Sequence, residues 1–203
     1  MAQIKELSFS KDLRLIMDAN PGKNINIASI LQGLDYRSHG IIVMILSLPF
    51  VIPMPIMGLS TLFGSVMMIS AISIMSGLSP WIPKKWRGKT VPRETMESLI
   101  LKSEKVATKI ERFVKPRFLL FSKSWIWIRI HGLMILVAAF ILALPSPPGG
   151  NVLPGAATFV LALGLVEEDG IVLILGYLLT ALNVILLTLI LVYGLDWLMS
   201  FFT

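Results

Sequence analysis

Arg37-Ser38-His39-Gly40-Ile41-Ile42-Val43-Met44-Ile45-Leu46-Ser47-Leu48-Pro49-Phe50-Val51-Ile52-Pro53-Met54-Pro55-Ile56-Met57-Gly58 is an apolar run entered through an Arg-x-His-Gly and broken by three prolines and a glycine. About ninety residues later the pattern returns. Arg129-Ile130-His131-Gly132 leads into Leu133 to Leu144, then Pro145, Pro147, Pro148, Gly149, Gly150, Asn151, Pro154 and Gly155. Each break is followed by a second apolar run, to Ile74 in the first copy and to Val166 in the second. Proline has no N–H and drives the residue before it out of helical geometry, so each break leaves carbonyls without helical partners. Hydrocarbon cannot satisfy them. Such backbone is tolerated at membrane depth only inside protein or beside water, and paired broken segments are how many transporters build a site.

The rest of the chain makes a membrane setting unavoidable. Of its 203 residues 55% are hydrophobic and 15% charged, with a mean hydropathy of +0.80, too little polar surface to cover a soluble globule. Gly40 to Pro83, Ile130 to Val166 and Gly170 to Leu195 contain no Asp, Glu, Lys or Arg. A crossing helix needs about 20 apolar residues, so these stretches are long enough to enter a bilayer. Residues 1–38 are polar and amphipathic, without the apolar core of a cleavable signal peptide. No cysteine is present, which removes disulfides, thiolate metal sites and cysteine catalysis.

Charge is distributed unevenly. From Trp81 to Ile130 there are thirteen Lys or Arg against four acids, and beyond Arg129 there is no basic residue at all. Basic segments stay on the cytoplasmic side, so the central segment is expected there. The net charge of +6 is better matched to anionic lipid headgroups than to nucleic acid.

These features give an all-α integral membrane protein of five parts. Residues 1–38 form cytoplasmic amphipathic helices, one capped by Ser10 and a second starting at Asn24 or Asn26. Residues 39–80 are the first membrane repeat, and 81–123 a basic linker anchored by Trp81 and Trp86. There Thr90 and Pro92 open a helix with Met96, Leu99, Ile100, Val106, Ala107 and Ile110 on one face and Lys102, Lys105, Lys109 and Arg112 on another. Residues 124–166 are the second repeat. Residues 167–203 hold the acidic turn Glu167-Glu168-Asp169 and a C-terminal transmembrane helix closed by Asp196 and Trp197.

Ile41 to Ile52 and Leu133 to Leu144 are each about 18 Å of helix, short of a bilayer's roughly 30 Å core. Re-entrant helical hairpins are therefore expected. The alternative is a plain two-span hairpin with its Pro-rich turn in the outer headgroups.

Candidate site residues follow from the repeats. Arg37 with His39 and Arg129 with His131 occupy matching positions, where the histidines can shuttle protons or pack the turn while the arginines reach headgroups. Ser60, Thr61, Asn151 and Thr158 are the sparse polar groups beside the structural breaks at Pro49, Pro53, Pro55, Gly58, Pro145, Pro154 and Gly155. They can bind a polar ligand or serve helix packing. Glu168 and Asp169 can form a cation or proton entry or simply a solvated turn. Neither a metal-ligand spacing nor a phosphate loop, nucleophile elbow or carboxylate pair appears. No enzyme activity, metal or cofactor is therefore expected.

The chain also resembles the ExoD family of bacterial exopolysaccharide synthesis membrane proteins, from about Ile30 to Thr180. The resemblance rests on Gly33-Leu34 to His39-Gly40, Leu48-Pro49 to Pro53-Met54-Pro55, Gly58-Leu59-Ser60-Thr61 and Pro80-Trp81-Ile82-Pro83. It continues through Leu144-Pro145, Gly150-Asn151, Pro154, Ala162-Leu163-Gly164-Leu165 and Glu168-Asp169-Gly170. It implies a role in exopolysaccharide production at the cytoplasmic membrane and brings no catalytic residues with it. Two functions fit. One is a small transporter or channel with its site at the breaks, in a homodimer because one chain has too few spans to enclose a pathway. The other is a non-transporting scaffold that docks polysaccharide-assembly proteins through the basic helix at 92–115.

Overall fold

The computed structural model describes residues 8–22, 24–51, 58–78, 88–110, 124–146 and 149–199. Its elements in chain order are α1 (Ser8–Ala19), β1 (Asn24–Asn26), α2 (Ile27–Gly33), α3 (Tyr36–Val51), α4 (Leu59–Ser76) and β2 (Thr90–Pro92). They continue with α5 (Arg93–Ile110), α6 (Trp125–Ala143), α7 (Val152–Glu167) and α8 (Gly170–Met199). The expected roles of Pro53, Pro55, Trp81, Trp86, Pro147 and Arg112 lie outside the described residues, as do those of the side chains of Ser10, Lys105, Lys109, Asp196 and Trp197.

The helices sort into a bundle and a layer. In the bundle α3 packs on α7 and α4 on α6, while α8 runs along α7 and more lightly along α6. Both pairs are antiparallel and both are closed by glycines. A Cβ placed on Gly155, in the first turn of α7, would stand 2.5 Å from Phe50 Cβ at the end of α3. At the other end of that pair, one on Gly40 would stand 2.9 Å from Val166 Cγ2. Similarly, one on Gly64 would meet the Ala139 carbonyl of α6 at 2.9 Å, and one on Gly132 the Ala71 carbonyl of α4 at 3.1 Å. Backbones this close leave no room for a side chain. Between apolar helices in an apolar solvent such close packing, rather than water exclusion, supplies the attraction.

Small side chains continue the contact. Ala71, Ala138, Ala139, Ala157 and Ala162 are fully buried with Val43, Met67, Ile135 and Leu161, and the middle of the bundle is filled by apolar atoms. Its outer surface is apolar as well. Leu62 and Ile69 on α4, Leu133 and Phe140 on α6, and Leu178 and Ile185 on α8 all face outward. Leu59–Ser76, Trp125–Ala143 and Gly170–Gly194 are long and apolar enough to cross a membrane.

The limits of the limbs lie close to those expected. Pro49 lies inside α3, which runs on to Val51. α6 begins at Trp125, so Arg129 and His131 sit within it rather than ahead of it. Pro154 occupies the first turn of α7, where no helical partner for an N–H is lost. Gly58 precedes α4 at φ 84°, a left-handed conformation that favours glycine.

The layer adds one short feature to the helical architecture. Asn24–Asn26 and Thr90–Pro92 pair as an antiparallel ribbon, with Ile25 opposite Val91, and α2 and α5 start directly after them at Ile27 and Arg93. The ribbon places Ile25 in full burial, and Pro92, which cannot donate to a ladder, ends an edge strand. Around Ile25 gather Leu13 and Ile16 of α1, Leu34 after α2, and Met96 and Ile100 of α5. The apolar face predicted for α5 is thus used, over its first two turns, against α1. Leu99, assigned to the same face, is 48% exposed. Arg93 binds the end of α1 from below, donating from Nη1 to the carbonyls of Met17 (3.4 Å) and Asn20 (3.3 Å).

If backbone contact at Gly155 holds α3 to α7, Gly155→Val will overpack the pair and cost about 1–3 kcal/mol. Gly194→Val, at a site with nothing within 4 Å, will be close to neutral. Thermal unfolding of both variants in detergent, followed by helical circular dichroism, measures the difference.

Candidate functional site

The two Arg-x-His-Gly copies start from the same residue types and reach different surroundings. Arg37 opens α3 beneath the end of α7 and is 3% exposed. Its Nη1 donates to Asp12 Oδ2 of α1 at 2.6 Å, and its Nη2 is ion-paired with Glu168 Oε1. Tyr36 donates its hydroxyl to that same carboxylate oxygen at 3.1 Å. Glu168 can reach inward because it caps α7 in a left-handed conformation, φ 56°, which turns the chain between α7 and α8. Next to it, Asp169 Oδ1 accepts from the backbone N–H of Ile171 at 2.9 Å and caps α8. The acidic turn is therefore buried and structural in its bonding: Glu167, Glu168 and Asp169 are all below one-tenth exposed.

Arg129 is exposed on α6. Its guanidinium lies 3.4 Å from the ring centroid of Trp125, one turn earlier on the same helix, a cation–π contact at the helix entry.

The histidines diverge in the same way. His39 Nε2 lies 3.2 Å from the carbonyl of Leu78 and ties the start of α3 to the end of α4. His131 is fully buried, hydrogen-bonded through Nδ1 to the Tyr177 hydroxyl of α8 and stacked on Trp127. Among the described residues no helix stands beside the first hairpin as α8 stands beside the second, and His39 meets a backbone oxygen instead.

At the breaks, the nominated polar groups bond to backbone or to each other. Thr61 donates to the Ala143 carbonyl at the end of α6 (3.0 Å), bridging the two hairpins where α6 stops. Ser146 donates to Asn151 Oδ1 at 2.6 Å across the second break. Thr158, fully buried, donates back to the Pro154 carbonyl at 2.6 Å, and Ser47 to that of Met44 at 2.9 Å. Ser60 is buried in the first turn of α4. Thr61 thus takes up a carbonyl at a helix end, a use Ser and Thr have in interrupted membrane helices, whereas Thr158 and Ser47 bond back within their own helices.

The structure thus brings Arg37 and Glu168 together, joins Thr61 to the other hairpin, and leaves Arg129 apart. Sequence reading missed Asp12, Tyr36 and Tyr177, because their partners lie 25, 132 and 46 residues away in the chain. It also missed Asn183, buried on α8 with its amide donating to the Leu179 carbonyl at 2.8 Å. A lone Asn inside an apolar 25-residue stretch was a signal available for it. Among the described residues no three His, Asp or Glu side chains form a group able to hold a metal ion.

The fold and these contacts define a class: a helical protein with membrane-length apolar helices, joined in part by polar side chains such as Arg37, Thr61 and His131. Comparison with known proteins narrows this. The family model described as exopolysaccharide synthesis, ExoD, matches residues 9–189. The chain belongs to the ExoD family, and this ties it to exopolysaccharide synthesis. It is 28% identical over 172 residues to Protein ExoD of Rhizobium meliloti, covering 84% of this chain and 72% of that one. An uncharacterised protein of Synechocystis sp. is 31% identical over 152 residues, covering 74% and 71%. No solved structure matches.

Glu168→Gln removes the buried partner of Arg37 and leaves it the half-exposed Asp12, and is expected to cost about 1–3 kcal/mol. Arg129→Ala, which loses an exposed cation–π contact, should cost about 0.5–1 kcal/mol. Urea unfolding of the detergent-solubilised variants provides the comparison, and equal losses would contradict the different environments assigned to the two arginines.

Proposed function

We propose that the protein serves exopolysaccharide synthesis as a non-transporting component of the bacterial cytoplasmic membrane, its bundle holding the layer of α1, α2, α5 and the ribbon at the inner surface. There the layer docks polysaccharide-assembly proteins, and the basic segment 81–123 is drawn to anionic headgroups. One observation carries this reading. Thr61, Asn151 and Thr158 at the breaks are already bonded within the protein, and the middle of the bundle is packed with apolar side chains.

The membrane arrangement belongs to the same proposal. The glycine contacts match in pairs about ninety positions apart: Gly40 with Gly132, and Gly64 with Gly155. In each case the start of one hairpin packs on the end of the other. This supports two repeats of the same orientation, related by an approximate two-fold along the helices, with His39 and His131 on one side and both breaks on the other.

Depth follows from α8. Gly164 of α7 faces Leu173 of α8, and Gly176 of α8 faces Leu161 of α7. Continued one residue for one, that antiparallel register brings Val152 level with about Ile185, so α8 rises past the start of α7 by roughly 20 Å. Much of this extension is apolar and exposed: Leu186, Leu189, Ile190, Leu191 and Val192. Lipid that covers it also surrounds the breaks. Above the level of Gly40 and Gly132, α3 and α6 rise only about 18 Å within a core of roughly 30 Å. The hairpins are re-entrant, and α8 makes the full crossing.

A transporter or channel is the second reading, favoured by the duplicated hairpin pairing, with a homodimer enclosing the pathway. Two measurements separate the readings. In proteoliposomes, solute flux is expected to stay at the background level and to be unaffected by Asn151→Leu or His131→Ala; flux that falls in either folded variant would support transport. Conversely, reversing Lys102, Lys105, Lys109 and Arg112 to Glu is expected to abolish co-purification with polysaccharide-assembly proteins, and its persistence would sink the docking role.

A further inference from the structure

The bundle and the layer have separate apolar cores, one built on Met67, Ala71 and Leu161 and the other on Leu13, Ile25 and Met96. Few apolar side chains bridge them. Ile41 of α3 packs against the layer's core, and Tyr36 against that of the bundle. The chain passes from one to the other through a tight corner: α2 ends, Asp35 takes φ 47°, and α3 starts at once. The Ser38 hydroxyl donates to the Leu31 carbonyl at 2.6 Å, holding the end of α2 to the start of α3.

Across this boundary lies one guanidinium. Arg37 takes Asp12 of α1 on one nitrogen and Glu168 of α7 on the other. The two carboxylates are not equivalent. Glu168 is 4% exposed and shared with Tyr36, whereas the Asp12 side chain is 32% exposed, so water can compete for Asp12 alone. α1 itself is fixed to the rest of the layer by Leu13 and Ile16 and by the Arg93 contacts at its end. If α1 leaves Arg37, the layer must follow it.

We propose that Asp12–Arg37 is a clamp that sets the position of the whole layer against the membrane bundle, and that its opening swings the layer as a unit about residues 34–38. Opening leaves Arg37 paired with Glu168, so the membrane side keeps its charge balance and the cost falls on the exposed partner. The two positions are then states of one equilibrium, and a partner that binds the layer in one of them shifts it. The clamp does not depend on what the layer docks. It rests only on the two cores being separate bodies.

The test uses the full chain in nanodiscs, with spin labels on introduced cysteines; the native chain has none. Leu15→Cys with Ile126→Cys spans the boundary, and Leu15→Cys with Leu99→Cys stays within the layer; all three positions are exposed. Asp12→Asn is expected to add a longer-distance population to the 15–126 pair while the 15–99 distance is unchanged. Asp18→Asn, on the exposed side of α1, should alter neither. An unchanged 15–126 distance in Asp12→Asn overturns the clamp, and so does the same shift in Asp18→Asn. Broadening of both pairs in Asp12→Asn overturns the movement as a unit.

Discussion

Backbone-to-backbone contact between apolar helices is the constraint on which the rest of this structure depends. Lipid offers such helices no reason to associate, because hydrocarbon wets a leucine surface as well as another helix does. What remains is dispersion at close range, and that requires residues without side chains where the axes approach. Gly40, Gly64, Gly132 and Gly155 meet the requirement at both ends of both pairs. Their placement fixes which limb lies against which, so that His39 and His131 stand toward one end of the bundle and Gly58 and Gly149 toward the other.

The polar side chains then divide between two tasks. At the breaks they satisfy carbonyls that prolines leave open, as Thr61 does for Ala143. At the opposite end they join bodies, as Arg37 does between Asp12 and Glu168. Neither task resembles the convergent, partly unsatisfied constellation of a binding site. In the function proposed above the membrane part is a platform for the layer it carries. That layer has its own core and a ribbon that fastens residues 24–26 to residues 90–92, so the two ends of the first hairpin are gathered into one cap.

Much of this was legible in advance. Apolar runs and their prolines located α3, α4, α6 and α7, since helix start and stop depend on local chemistry. Where sequence reading went astray, the deciding partner was distant. Arg37 and Arg129 look identical locally, yet one meets Glu168 and the other only Trp125, four residues away. Asn24 and Thr90 have the composition of helix caps, but each lies beside a complementary three-residue strand, and pairing across some sixty residues leaves no local trace. Polar residues at a break signal a ligand or a backbone to be satisfied with equal force. In the structure Thr61 donates to the Ala143 carbonyl and Asn151 accepts from Ser146.

We propose that both breaks lie below the outer membrane surface. Single cysteines introduced at Gly58 and Gly149, in a chain that otherwise has none, test it most directly against Gly194 near the far end of α8. With a membrane-impermeant maleimide added outside intact cells, the account predicts slow or absent labelling at 58 and 149, rising to full labelling when the membrane is dissolved. Rapid labelling of both from outside, at the rate of an exposed loop, would contradict it and return the hairpins to plain two-span form.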